Sequence, residues 1–152
     1  MARERGRTKP HSWPSQSPKT EKRRAFLGPA EAPLVLVVDF DDRRDVYADV
    51  FAAAGLRVAT AVDGEHALWK VDAFHPSVVV MSLALPGMNG CEATRRLKAT
   101  PRTRHIHVIA VEPESPDALL QASSCGADSV VGRACSPEAL LAVVMGLLPP
   151  AR

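Results

Sequence analysis

Val78-Val79-Val80-Met81-Ser82-Leu83-Ala84-Leu85-Pro86-Gly87-Met88-Asn89-Gly90 reads as an apolar strand, Ser77–Ser82, running into a Leu-Pro-Gly-Met-Asn-Gly loop. Other short segments of the same character lie on either side of it. Leu34-Val35-Leu36-Val37-Val38 is an uninterrupted apolar run ending at Asp39. Such a run suits a central parallel strand buried on both faces. Arg57-Val58-Ala59-Thr60-Ala61, Ile106–Val111 and Ser129-Val130-Val131 supply three more strands.

Helical spacing fills the intervals. Val46, Tyr47, Val50, Phe51 and Ala54 recur at that spacing between Asp42 and Ala54, and Gly55 stops the helix. Ala67, Leu68 and Val71 mark the face of a second helix after Asp63-Gly64. Cys91, Ala93 and Leu97 mark a third, more polar helix. A fourth starts at Pro116 or Asp117 and stops near Gly126. The last begins with Ser136 as cap and Pro137 at the first helical position, and ends at Pro149-Pro150. Five strands alternating with five helices predict an α/β fold: one doubly wound, flavodoxin-like parallel sheet with helices on both faces. Strand order 2-1-3-4-5 is taken from the known order for that fold class. In such sheets ligand chemistry gathers at the carboxyl ends of the strands. Here those ends are Asp39, Ser82, Glu112 and the loop at Arg133.

The net charge of +2 conceals an asymmetry. Residues 1–32 hold eight Lys/Arg and three Asp/Glu, net +5; residues 33–152 hold eleven and fourteen, net −3. The first stretch is rich in Pro, Ser, Arg and Lys and lacks apolar periodicity. It cannot bury enough surface to offset its chain entropy, so residues 1–32 are expected to be a disordered basic tail before a domain at 33–150. Its charges are spread among prolines and serines, and it reads as solubilising rather than nucleic-acid-binding, although Lys22-Arg23-Arg24 could add phosphate contacts. No apolar run approaches the roughly 18 residues of a membrane helix, and no secretory signal is visible. Cys91, Cys125 and Cys135 lack metal-ligand spacing and read as reduced thiols in a cytoplasmic protein.

Several signatures, in order over about residues 34–148, resemble the receiver domain of bacterial two-component response regulators. They are Asp63-Gly64-Glu65-His66-Ala67-Leu68, the loop Leu85–Gly90, Gly126-Ala127-Asp128 and Ser136-Pro137-Glu138-Ala139-Leu140. The resemblance implies a phosphorelay role, with an aspartate that accepts a phosphoryl group from a histidine kinase beside bound Mg²⁺. The residues at those positions depart from the pattern. Asp39 is followed by Phe40 where a second acid is expected, and Ser82 stands at the acceptor position. Glu112 replaces a hydroxyl residue, Arg133 a lysine, Ala134 a proline, and Val130 the aromatic switch residue.

These changes are expected to act together. A carboxylate attacks phosphorus readily, whereas a serine hydroxyl needs a base. Mg²⁺ takes near-octahedral oxygen ligands, and Asp39 alone is a poor site. Asp39, Phe40, Ser82, Glu112 and Arg133 are therefore read as a degenerate phosphoacceptor pocket, with Val130 at the switch position and no catalytic residue, metal or cofactor. Arg133, always charged and fork-shaped, is expected to clamp Asp39, Glu112 or both, the simpler alternative being that it points into solvent. Without proline at Ala134 the preceding bond is expected to be trans.

Other candidates carry less. Asp41, Asp42 and Asp45 read as a solvated helix start, His105 and His107 as the exposed start of a strand rather than a metal site, and Trp69 either as a partner anchor or as packed on its own helix. The reading is a stand-alone, non-enzymatic receiver-like module that binds a signalling protein or a relative of a histidine kinase without phosphorylation, and that can pair with a second copy through its last two helices. No output domain is expected after Arg152. The alternatives are phosphorylation at an unusual residue, a nucleic-acid-associated role for the tail, and flavin binding by a similar topology.

Overall fold

The computed structural model describes residues 32–112 and 116–148, with the side chains of Glu112, Ala118 and Leu119 outside the described set. The basic tail predicted at 1–32 lies outside the described residues apart from Ala32. Strands β1 (Leu34–Val38), β2 (Arg57–Ala61), β3 (Val78–Ser82), β4 (His107–Glu112) and β5 (Ser129–Gly132) alternate with helices α1 (Arg43–Ala53), α2 (Gly64–Phe74), α3 (Gly90–Ala99), α4 (Pro116–Ser124) and α5 (Pro137–Leu147). All strand pairs are parallel, in the order β2-β1-β3-β4-β5. This is the predicted flavodoxin-like arrangement.

Alternation along the strands divides the core. Leu36, Val38, Val79, Met81 and Val108 pack under α2 and α3. Val35, Val37, Val80, Ile109 and Val111 pack with Tyr47, Phe51, Leu140 and Val144 of α1 and α5. A smaller cluster, Leu83, Cys91, Ala110, Ala122 and Cys125, lies between α3 and α4, with Val130 packed against it. β1 and β3 are buried at every position, which explains why their sequences show no polar alternation.

The helix ends follow local chemistry. Asp63 accepts from the His66 amide at 2.8 Å, Asn89 from the Glu92 amide at 2.8 Å, and Ser136 from the Ala139 amide at 3.1 Å. Gly90 begins α3 hard against β3: a Cβ there would collide with the Ser82 carbonyl. Beyond α4 the chain turns at Gly126, whose φ of 96° favours glycine. Among the described residues no peptide bond is cis, so the bond into Ala134 is trans as expected.

One sequence expectation is corrected here. Cys91 and Cys125 are not a pair of reduced thiols; they are joined as a disulfide, with Cα atoms 5.3 Å apart. The first turn of α3 and the residue after α4 meet over β4, a proximity that a separation of 34 residues in the chain does not reveal. Cys135 alone is free among the described cysteines.

Candidate functional site

The carboxyl ends of β1, β3 and β5 converge, and the residues there form an ionic cluster. Asp39 follows β1 with its side chain only 2% exposed. Ser82, the last residue of β3, is buried. Arg133, one residue beyond β5, reaches back to both. Its Nη1 donates to Ser82 Oγ at 3.1 Å. Its Nη2 faces Asp39 Oδ1 at 3.3 Å, Asp39 Oδ2 at 3.5 Å and Asp41 Oδ2 at 3.2 Å. The guanidinium is 19% exposed, so the contact with Asp39 is largely removed from water. Charge-assisted hydrogen bonds of this kind are roughly twice as strong as neutral ones.

The arginine therefore contacts Asp39, as expected, and does not point into solvent. Asp41 joins the cluster, which the sequence reading did not foresee. The backbone explains both roles: Oδ1 of Asp41 accepts from the Arg43 amide at 2.9 Å, capping α1, and this leaves Oδ2 for Arg133. Asp42 stands at the helix boundary without a side-chain cap bond and is exposed. Glu112 pairs through its backbone with Gly132, and its side chain lies outside the described residues.

Two further arginines hold the rim, and nothing in the hydrophobic pattern singled them out. Arg43 Nη1 donates to the Arg133 carbonyl at 2.7 Å, and Arg44 Nη1 to the Asp39 carbonyl at 3.0 Å. Both fix backbone rather than offering a free charge. Burial pushes the Tyr47 hydroxyl above its ordinary range, although the Arg43 guanidinium acts in the opposite direction.

Phe40 makes none of the ionic contacts of the cluster. It is 52% exposed and lines a shallow groove with Leu83, Ala84, Leu85, Pro86 and Asn89. The chain bends at Phe40, just past the end of β1, and leaves its ring on the surface while Asp39 stays buried. Val130 is half-buried in the β4–α4 cluster. His105 is exposed and His107 half-buried. Among the described residues no group of three or more His, Cys, Asp or Glu side chains is placed to hold a metal ion. Trp69 lies along its own helix, edge-on to Phe74 with ring centres 6.1 Å apart.

A parallel five-stranded sheet in the order β2-β1-β3-β4-β5, flanked by five helices and with its site at the carboxyl ends of the strands, is the frame of phosphorelay receivers. Residues 34–145 match the family model of the response regulator receiver domain, and the chain belongs to that family. The DNA-binding response regulator MtrA of Mycolicibacterium smegmatis is 33% identical over 115 residues, covering 75% of this chain and 50% of its own. The beryllofluoride-activated DrrB receiver domain is 30% identical, with a TM-score of 0.67 over 76% of this chain and 97% of that one. The chemotaxis protein CheY4 of Vibrio cholerae is 25% identical, with a TM-score of 0.71 over 77% and 99%. The chain thus spans about half the length of MtrA. A bacterial origin fits these relatives. The protein is a receiver domain of two-component signalling, and among its described residues no helix is long and apolar enough to cross a membrane.

Proposed function

We propose that this receiver domain is degenerate: a non-enzymatic, phosphorylation-independent protein-interaction module. The observation that carries the reading is Arg133 seated between Asp39, Asp41 and Ser82. A receiver needs carboxylate oxygens free for Mg²⁺ and a carboxylate nucleophile at the end of β3. Here the carboxylates already face a guanidinium, and the residue at the end of β3 is a serine. Ser82 Oγ accepts a hydrogen bond from a cation, which makes it a poorer nucleophile. Two carboxylates and a hydroxyl shared with an arginine do not fit the octahedral oxygen shell that Mg²⁺ demands.

With Val130 at the switch position, the aromatic half of the family's phosphorylation switch is also missing. The domain on this reading presents one fixed shape. Its partner is a signalling protein or a relative of a histidine kinase. The surface of α4 and α5, where a second copy could also pair, is the docking face. The domain spans about residues 33–150, follows a basic tail at 1–32 that serves neither nucleic acid nor membrane, and works in the cytoplasm without a cofactor.

An amide NMR titration with Mg²⁺ and then beryllofluoride, a mimic of an acyl phosphate, tests the reading. Unmoved resonances at Asp39, Asp41 and Ser82 are expected. Saturable shifts confined to those residues would refute it and return the domain to the phosphorylated class.

A further inference from the structure

The cysteines of α3 and α4 point to a second site, on the sheet face remote from Cys135. We propose that Cys91 and Cys125 form a reversible thiol–disulfide site that fixes α4 to α3, and that its reduction releases α4. The Cα separation of 5.3 Å lies within the range a disulfide spans without backbone movement. Both residues are buried, at 2% and 3% exposure. The free Cys135 packs with the cluster on the α1–α5 face, so it offers no competing partner. The Gln121 carbonyl lies 3.0 Å from Cys125 Sγ and 3.8 Å from Cys91 Sγ, an acceptor ready for either thiol once the bond is broken.

The bond matters because, among the described side chains, α4 buries little else. Among its described side chains only Ala122 is buried, and Leu120 is 72% exposed. One alanine side chain buries little apolar area. The covalent link, in contrast, closes a loop of 34 residues, and removing such a link releases chain entropy that small cores do not recover. Helices at the low-stability end of a fold are those that open locally.

The reaction is ordinary exchange with a dithiol. One reductant thiolate attacks a cysteine sulfur, and the other cysteine leaves as thiolate. The second reductant thiol then attacks the mixed disulfide and departs as a cyclic disulfide. Two electrons and two protons pass to Cys91 and Cys125. Because both sulfurs are buried, attack proceeds through opened α4. An oxidised low-molecular-weight thiol drives the reverse reaction. The biological use of the site rests on the cytoplasmic reading above, since disulfides in reducing compartments are usually transient or redox-sensing; its chemistry does not.

Peptide mapping of the full chain without reductant, followed by hydrogen exchange with and without dithiothreitol, tests the site. A Cys91–Cys125 linked peptide with Cys135 free is expected. Reduction should raise exchange of the amides of residues 116–128 by roughly tenfold or more while β1 and β3 stay protected. Returning oxidised glutathione should restore both the link and the protection. The Cys91→Ser/Cys125→Ser variant should match the reduced protein and ignore dithiothreitol. Free thiols at Cys91 and Cys125 under oxidised glutathione, a link to Cys135, or α4 exchange indifferent to reduction would each overturn the proposal. None of these readouts depends on Mg²⁺ or beryllofluoride, so failure here is distinct from failure of the degenerate-receiver reading.

Discussion

Replacing Arg133 by methionine isolates the ionic cluster. Methionine keeps most of the apolar stem and deletes the fork. Asp39 is then left with its side chain 2% exposed and, among the described residues, with a long bond of 3.4 Å from the Asp41 amide as its remaining side-chain hydrogen bond. Removing one partner of a buried ion pair costs about 3–5 kcal/mol. Arg133 is 19% exposed and Asp41 38% exposed, so screening brings this cost toward the lower end, about 3 kcal/mol. With an unfolding entropy of roughly 2.1 cal/mol/K per residue over the matched span 34–145, the midpoint should fall by about 12 °C. Thermal unfolding followed by circular dichroism at pH 7, in one fixed redox buffer, reads this directly. The partner variant Asp39→Asn removes the carboxylate's charge, and the double variant should recover about 2 kcal/mol relative to the sum of the singles. A loss under about 1 kcal/mol for Arg133→Met, or strict additivity in the double variant, would refute the claim that Arg133 compensates a buried Asp39.

The remaining predictions concern other parts of the frame. Gly90→Ala drives a Cβ into the Ser82 carbonyl and should cost about 1–3 kcal/mol in urea unfolding, with the m-value unchanged. Burial raises the pKa of Asp128, but the hydrogen bond and charge of Lys98 and the amide of Val108 outweigh it and hold the carboxyl below its ordinary range. Its stabilising contribution is therefore complete above the unfolded value near 3.9 and is lost as pH falls through the lower folded value. Asp128→Asn should accordingly flatten the acid limb of a stability–pH profile. Tyr47 has the opposite sign, since burial raises its hydroxyl. Stability is retained below an unfolded value of about 10 and lost as pH rises through the higher folded value, so Tyr47→Phe should weaken alkaline unfolding.

Much of the frame was legible because it is written in local patterns. The bounds of β1 follow from an unbroken apolar run between Pro33 and Asp39. The start of α5 follows from Ser136 and Pro137, whose capping roles depend on residues within one turn. The site was legible only in part. That Arg133 would meet Asp39 came from the positions of strand ends in a known topology. That Asp41 would join depended on which of its two oxygens caps α1, a choice no sequence periodicity records. The outward turn of Phe40 was not legible, because its place beside Asp39 in the chain does not show which way a side chain leaves the bend after β1. The disulfide was invisible for a similar reason: α3 and α4 converge only after β4 and its flanking helices have packed.

The pairing of Asp39 with Arg133 also bears on how the domain is born. β1 occupies an interior place in the sheet and is made first, yet the cation that neutralises Asp39 lies 94 residues downstream. On the ribosome, β1 to β3 can be complete while that carboxylate still lacks its counter-ion. The low-cost alternative during this interval is to keep the end of β1 hydrated. Full desolvation must therefore wait for β5 to dock, so sealing of the core is coupled to the arrival of the last strand. A contact of such long range slows folding, and here it also makes the final closing step a test that the whole sheet has been synthesised.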